Sequence, residues 1–149
     1  NSLVESIPAL CAKLREGWDM VIASRYLPPA KSEDDDFVTG FGNWLFTRSI
    51  NLFHGGRYTD AMVMLRGYRK NIFFDLDLHK SESYEIYERL FFTRIGVEPL
   101  LSIRAAKRKL KVTELAFSEP PRVGISKLQI IRWGAAYYSQ VIREIWHWK

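Results

Sequence analysis

DMVIASRY, at residues 19–26, has the pattern of a buried strand that is followed at once by a cation. Met20 to Ala23 are a short continuous apolar run with β-branched residues, which is typical of a strand buried on both faces of a mostly parallel sheet. Arg25 follows at the carboxyl end of this strand, the edge at which open α/β sheets bind their ligands. The segment therefore predicts an α/β fold with a positive charge at its ligand-binding edge.

Hydrophobic periodicity on both sides of this strand predicts alternating helices and strands. Gly55 and Gly56 are expected to close the second helix in a left-handed conformation, and the prolines and acidic run of residues 27–36 predict a loop. The sequence contains no internal repeat, so we predict one α/β domain over residues 1–149, with a mostly parallel sheet flanked by helices. We predict helices at 2–17, 42–54, 84–94, 99–110 and an amphipathic one at 128–145, and strands at 20–23, 61–65 and 111–117.

Composition narrows the class of protein further. The 149 residues are 47% apolar and 26% charged, which is ordinary for a globular domain and excludes general disorder. The net charge of +5 favours an anionic partner: a nucleic acid, an acidic membrane surface or a phosphorylated small molecule. Cys11 lies within a helical apolar pattern, so we predict a buried free thiol and not a nucleophile or metal ligand. Because the chain opens at Asn1 without an initiator Met, we expect it to be part of a longer protein.

Basic residues recur at the predicted loops and strand ends: Arg25, then Arg66 with Arg69, then residues 122–127. Forked guanidinium groups at such positions can hold a diphosphate through two hydrogen bonds each. The last segment, RVGISK, combines two cations with a flexible glycine and a hydroxyl just before a helix. Taken singly, each cluster is better interpreted as a solvated loop, and a longer succession of residues is needed to favour phosphate binding.

A longer succession of segments resembles a known family. It consists of residues 19–26, the pair at 42–43, the stretch YTDAMVMLRGYR at 58–69, EPLL at 98–101, Glu114 and residues 122–127. In order and spacing these segments resemble the C-terminal portion of the family 2 glycosyltransferases, particularly the branch related to polyprenyl-phosphate sugar synthases. The chain departs from that pattern at residues 63–65, where relatives commonly show Ser-Gly-Phe, and at Trp44, where a basic residue is frequent.

The resemblance implies a glycosyltransferase-A fold, which is Rossmann-like, and an enzyme that transfers a sugar from a nucleotide-sugar donor with inversion. Negative charge grows on the departing diphosphate, and fixed cations with a divalent metal stabilise it. Matching the family's functional residues to this sequence gives two catalytic candidates, Asp60 and Glu98. Glu98 would bind a sugar hydroxyl or act as a base, although a plain helix N-terminal carboxylate is an equal alternative. The same match gives five candidates for binding the substrate or its phosphates: Arg25, Arg66, Arg122, Ser126 and Lys127. Arg66 is also a possible partner of Asp60.

The same resemblance places the nucleotide pocket, and the Asp-x-Asp that ligates Mg²⁺ or Mn²⁺, before Asn1. Asp34 and Asp36 form such a pattern, but in the wrong order, and a solvated acidic loop is the better interpretation. We therefore expect no metal site in this segment, and no catalysis by these 149 residues alone.

The expected acceptor is a polyprenyl phosphate or another glycan acceptor, in a cytoplasmic protein that could act at the inner face of the membrane. The alternative function is a non-catalytic basic module that binds nucleic acid or an anionic membrane surface. No nucleic-acid recognition motif supports the nucleic-acid version. The aromatic-rich C-terminal helix favours core or homodimer packing over peripheral membrane contact.

Overall fold

A computed structural model of the chain describes residues 4–33, 36–121 and 130–148. Short 3₁₀ turns at Val4–Ser6 and Ser81–Ser83 accompany the regular elements. The α-helices are α1 (Ile7–Arg15), α2 (Phe37–His54), α3 (Lys70–Asp75), α4 (Glu85–Phe91), α5 (Glu98–Lys107) and α6 (Ile130–His147). The strands are β1 (Met20–Ser24), β2 (Arg66–Tyr68) and β3 (Val112–Ala116). The predicted α/β class is confirmed.

The sheet has the order β2-β1-β3 and is mixed, so the prediction of a mostly parallel sheet is wrong. β1 runs parallel to β3 from Met20 opposite Val112, and antiparallel to β2 with Met20 opposite Tyr68. The loop after α2 returns to the carboxyl end of β1, where the Ala23 amide donates to the Leu65 carbonyl at 3.1 Å. The chain therefore enters β2 from that end and must run against β1.

The strand predicted at residues 61–65 is absent, because side chains bind its backbone amides. The Ala61 amide donates to the Thr47 hydroxyl at 3.1 Å, and the Val63 amide donates to the Asp60 carboxylate at 3.2 Å. These bonds hold a loop, and strand pairing begins only at Arg66.

β1 is buried on both faces, as its apolar run predicts. Met20 and Ile22 pack into the main core, which α2, α5 and α6 complete, while Val21 and Ala23 pack against α1. Cys11, in contrast, is exposed, which overturns the prediction of a buried thiol. α1 packs on the sheet through the neighbouring Leu10. Because successive side chains of a helix are about 100° apart, Cys11 points away from the sheet.

α2 begins at Phe37, five positions before its predicted start, because Asp36 and Thr39 form a reciprocal capping box ahead of the first turn. The helix ends as predicted at Gly55, which has a left-handed φ of 73°. α6 packs on α2 and α5 through a face that includes Ala136 and Val141. Among the described helices, none combines the length and the apolar character needed to cross a membrane.

Candidate functional site

An ion pair marks the carboxyl end of β1. Arg25, the residue after the strand, donates from Nε to Asp60 Oδ2 at 2.7 Å and from Nη2 to Asp60 Oδ1 at 3.1 Å. Its third arm, Nη1, donates to Glu119 Oε2 at 3.0 Å. The two-pronged bond to Asp60 is the strong geometry for a guanidinium and a carboxylate, so the position of Arg25 is fixed.

Asp60 is fully buried, with 0% of its surface exposed. A buried carboxylate is tolerated only when an opposite charge and hydrogen bonds compensate for its lost hydration. Both Asp60 oxygens bind Arg25, and Oδ1 also accepts from the Val63 amide at 3.2 Å. Asp60 is thus a buried anchor that holds Arg25 and the start of the 60–65 loop.

Glu114 on β3 ties the same loop to the sheet. Its carboxylate accepts from the Thr59 amide at 2.9 Å, the Thr59 hydroxyl at 2.7 Å and the Asp60 amide at 3.2 Å. The Thr59 hydroxyl gives its only hydrogen to Glu114, so the Ser24 hydroxyl must be the donor across the 2.5 Å Ser24–Thr59 contact. This chain of bonds connects β1, the 59–60 turn and β3 at a single edge of the sheet.

The loops that follow β1 and β3 run side by side beyond this edge. Ser32 and Glu119 form a parallel bridge, in which the Glu33 amide donates to the Glu119 carbonyl and the Glu119 amide to the Lys31 carbonyl, each at 3.0 Å. This bridge positions Glu119 opposite Arg25. The hydroxyls of Tyr26 and Ser32 are buried there without a hydrogen-bond partner in the described part of the chain. Unpaired buried hydroxyls are uncommon in folded proteins.

Arg66, which the resemblance makes a possible partner of Asp60, belongs to a second group of residues. Its guanidinium donates from Nε to the Val63 carbonyl at 2.8 Å, and from Nη1 to the Ser102 hydroxyl at 2.9 Å. Nη2 donates to the Val63 and Ala61 carbonyls. No described carboxylate lies within 4.0 Å of it. Burial lowers the pKa of Arg66, and the charges of Glu98 and then Asp60 oppose this shift.

Glu98 is the first residue of α5 and is partly exposed. Its carboxylate receives no hydrogen bond from the described residues, unlike the carboxylates of Asp60 and Glu114. It folds back over Gly96, where an added Cβ would lie 2.1 Å from Glu98 Oε2. The Gly96 amide donates to the Tyr137 hydroxyl at 2.8 Å. Glycine at position 96 thus leaves room for a free carboxylate close to Arg66.

The structure therefore sorts the candidates into two groups that the 60–65 loop joins. Arg25 and Asp60 form one with Glu114 and Glu119, and Arg66 forms the other with Glu98. Arg122, Ser126 and Lys127 lie outside the described residues. Glu119 was missed because nothing local relates it to Arg25, 94 positions away. The Glu114 anchor had a local signal, an acidic residue at the centre of a mostly apolar strand.

A divalent-metal site is not formed by the residues that the structure describes. They contain no cluster of three or more His, Cys, Asp or Glu side chains suited to hold a metal ion. No protein-family model, curated protein or solved structure matches this chain.

Proposed function

We propose that this chain takes part in the transfer of a sugar from a nucleotide-sugar donor to an acceptor, as the acceptor-side part of a family 2 glycosyltransferase. The observation that carries the proposal is the Arg25–Asp60 pair at the carboxyl end of β1, joined to the neighbouring strand through Glu114. This edge is where α/β sheets bind ligands. The ordered resemblance at residues 19–26, 58–69, 98–101 and 122–127 supplies the reaction class.

Within this proposal Asp60 is a positioning residue. Both of its oxygens are bound to Arg25 and none of its surface is exposed, so it cannot easily accept a proton from a substrate. Its role is to hold Arg25 at the sheet edge. The Arg25 arm that binds the partly exposed Glu119 is the one that a phosphate oxygen could share.

Glu98 is the better candidate for direct substrate contact, because its carboxylate is partly exposed and free of hydrogen bonds from the described residues. With a hydroxyl acceptor, Glu98 would remove the proton as the acceptor oxygen attacks the anomeric carbon. A phosphate acceptor is already anionic and needs no base. With a polyprenyl-phosphate acceptor Glu98 would instead bind a sugar hydroxyl.

The divalent metal that the resemblance implies would be held by the family's Asp-x-Asp motif, which the resemblance places outside this segment. It would neutralise charge on the diphosphate. Arg122, Ser126 and Lys127 remain the proposed phosphate contacts of this segment, and peripheral membrane contact remains part of the proposal for a lipid-linked acceptor.

The test is a transfer assay on the full-length protein, with UDP- and GDP-sugars, Mn²⁺ or Mg²⁺ and a short-chain polyprenyl phosphate. We expect sugar transfer with inversion. Arg122→Ala should lower kcat/KM by at least about a hundredfold. Glu98→Gln keeps an acceptor oxygen for the sugar hydroxyl and loses only its charge, so it should lower kcat/KM about tenfold. Glu82→Gln, on an exposed turn, is the matched control and should retain activity. Absence of transfer, with salt-sensitive binding to nucleic acid or anionic vesicles instead, would favour the alternative binding module.

A further inference from the structure

α2 exposes a stripe of aromatic side chains. Phe37, Phe41 and Trp44 are 87%, 53% and 54% exposed, and the exposed Arg48 continues their line. The spacings of four, three and four positions put all four residues on one face of the helix. Phe41 and Trp44 stack with ring centroids 5.7 Å apart. We call these four residues the α2 stripe.

The α2 stripe is not part of the core of this chain. α2 packs inward on α5 and α6 through its opposite face, where Phe46 and Ile50 are buried in the main core. Contiguous exposed aromatic surface of this kind marks an interaction site in a folded protein. Gly40, beside the α2 stripe, leaves the helix backbone open, since an added Cβ there would meet no atom within 4 Å.

The α2 stripe is self-complementary, and we propose that it binds the α2 stripe of a second copy of this chain in antiparallel orientation. The four residues are arranged symmetrically about a point between positions 42 and 43. A two-fold axis at that point sets Phe41 of each copy against Trp44 of the partner subunit, and Phe37 against Arg48 of the partner subunit. Aromatic stacking and cation–π contacts are the interactions that such pairs form.

Charges at the two ends of the α2 stripe agree with this arrangement. Asp36 precedes Phe37, while Arg48 lies 12 positions further on, or about 18 Å along the helix. An antiparallel pair brings each Asp36 to Arg48 of the partner subunit. Asp36 accepts both Thr39 bonds of the helix cap through Oδ1, and the residue is exposed to solvent. Arg48 has no ion pair among the described residues, and α2 itself contains no Asp or Glu.

The same charges disfavour a lipid bilayer as the occupant. Glu33 and Asp36 are exposed at the end of the helix where Phe37 projects most, so they would face anionic headgroups together with that ring. Anionic lipid surfaces attract basic segments and repel acidic ones. A second copy instead satisfies both signs of charge at once.

The exposed area of the α2 stripe limits how stable the dimer can be. The exposed parts of the three rings add up to roughly 400 Å² per copy, at about 200 Å² for a whole ring. Flanking Val38 and Leu52, which are 54% and 76% exposed, extend it. The area that these side chains would bury over both copies falls near the lower limit for specific interfaces, about 1,000–1,200 Å². We therefore expect a reversible dimer with a micromolar dissociation constant.

Sedimentation velocity of the full-length protein tests this, at about 5 to 200 µM, a range that brackets a micromolar dissociation constant. The wild type should pass from monomer to dimer within that range, and high salt should weaken the dimer because the Asp36–Arg48 pairs are exposed. Arg48→Glu and Trp44→Ser should each raise the dissociation constant at least about tenfold. Asp36→Asn keeps a capping side chain and should raise it about two- to fivefold.

The matched control is Trp146→Ser on α6, which removes a tryptophan that is 70% exposed but lies outside the α2 stripe. It should leave the dissociation constant unchanged. Far-ultraviolet circular dichroism verifies that each variant remains folded. A wild type that stays monomeric at the highest concentration would overturn the proposal, and so would its flotation with anionic vesicles as a monomer. A dimer that Trp146→Ser dissociates and Trp44→Ser does not would also overturn it, because α6 would then be the interface.

Discussion

The Arg25–Asp60 pair shows how one residue can determine a local structure. Asp60 compensates for the charge of Arg25, whose side chain is only 16% exposed, and it also caps the 60–65 loop. Removing one partner of a buried pair leaves the other charge uncompensated. The cost of that exceeds the net value of the pair itself.

We therefore expect Asp60→Ala to lower the free energy of unfolding by about 3–5 kcal/mol. The matched control is Glu16→Ala, which breaks the exposed Lys13–Glu16 pair and should cost less than about 1 kcal/mol. Urea denaturation followed by circular dichroism measures both. Equal losses in the two variants would show that Asp60 does not carry the local structure.

His54 predicts a dependence of stability on pH. Burial lowers its pKa below the ordinary 6.5, the nearby Lys107 adds to this shift, and the Val141 carbonyl and Glu144 oppose it. His54 Nε2 contacts the Val141 carbonyl at 3.0 Å, while the buried Nδ1 has no partner among the described residues. Protonation would thus bury a charged donor without an acceptor.

Because the unfolded chain protonates His54 at a higher pH than the folded chain, stability is complete above 6.5 and falls as the pH drops below it. The slope that one proton contributes is at most about 1.4 kcal/mol per pH unit. Urea denaturation between about pH 7 and 5 should show a steeper loss for the wild type than for His54→Gln. Parallel pH profiles for the two proteins would contradict this prediction.

α2 contains a matched test of helix conformation at the level of an element. Gly55 ends the helix with a φ of 73°, which a side chain disfavours, whereas Gly40 lies within the helix with open space around it. Gly55→Ala should cost about 1–2 kcal/mol, and Gly40→Ala should stabilise the protein by up to about 1 kcal/mol. Thermal denaturation should move the two midpoints in opposite directions. A rise in both would mean that the left-handed cap is not under steric control.

α6 is held to the molecule by a buried ion pair. Arg104 on α5 donates from Nε to Glu144 Oε2 at 3.1 Å and from Nη2 to Oε1 at 3.2 Å, and the two side chains are 4% and 1% exposed. The same guanidinium binds the Ser83 hydroxyl and the Leu76 carbonyl. One network therefore connects α6 with α5, with the turn before α4 and with the end of α3.

Glu144→Ala should lower the free energy of unfolding by about 3–5 kcal/mol and accelerate amide hydrogen exchange throughout α6. Arg143→Ala, at the adjacent position, removes a cation–π contact with Tyr87 at 5.9 Å and should cost less than about 1 kcal/mol. Hydrogen exchange with mass spectrometry distinguishes release of α6 from general destabilisation. Unchanged exchange in Glu144→Ala would contradict the anchoring role.

At the scale of the whole molecule, local pattern predicted those features that depend on local chemistry. The apolar run of β1, the left-handed Gly55 and the position of Arg25 at the strand end are examples. The direction of β2 could not be predicted, because it depends on where the loop after α2 returns. The pairing of Arg25 with Asp60 and Glu119 joins residues 35 and 94 positions apart, for which periodicity gives no information.

The parallel pairing of β1 with β3 has a consequence for how the chain is made. β1 can pair with β3 only after the ribosome has added Val112, 92 positions after its partner Met20. At roughly 5–20 residues per second, a ribosome needs about 5–20 s to supply it. During that interval an apolar strand has an unpaired edge, which favours a chaperone-bound intermediate. Pairing between such distant segments also slows folding, so we expect refolding in milliseconds to seconds and not in microseconds.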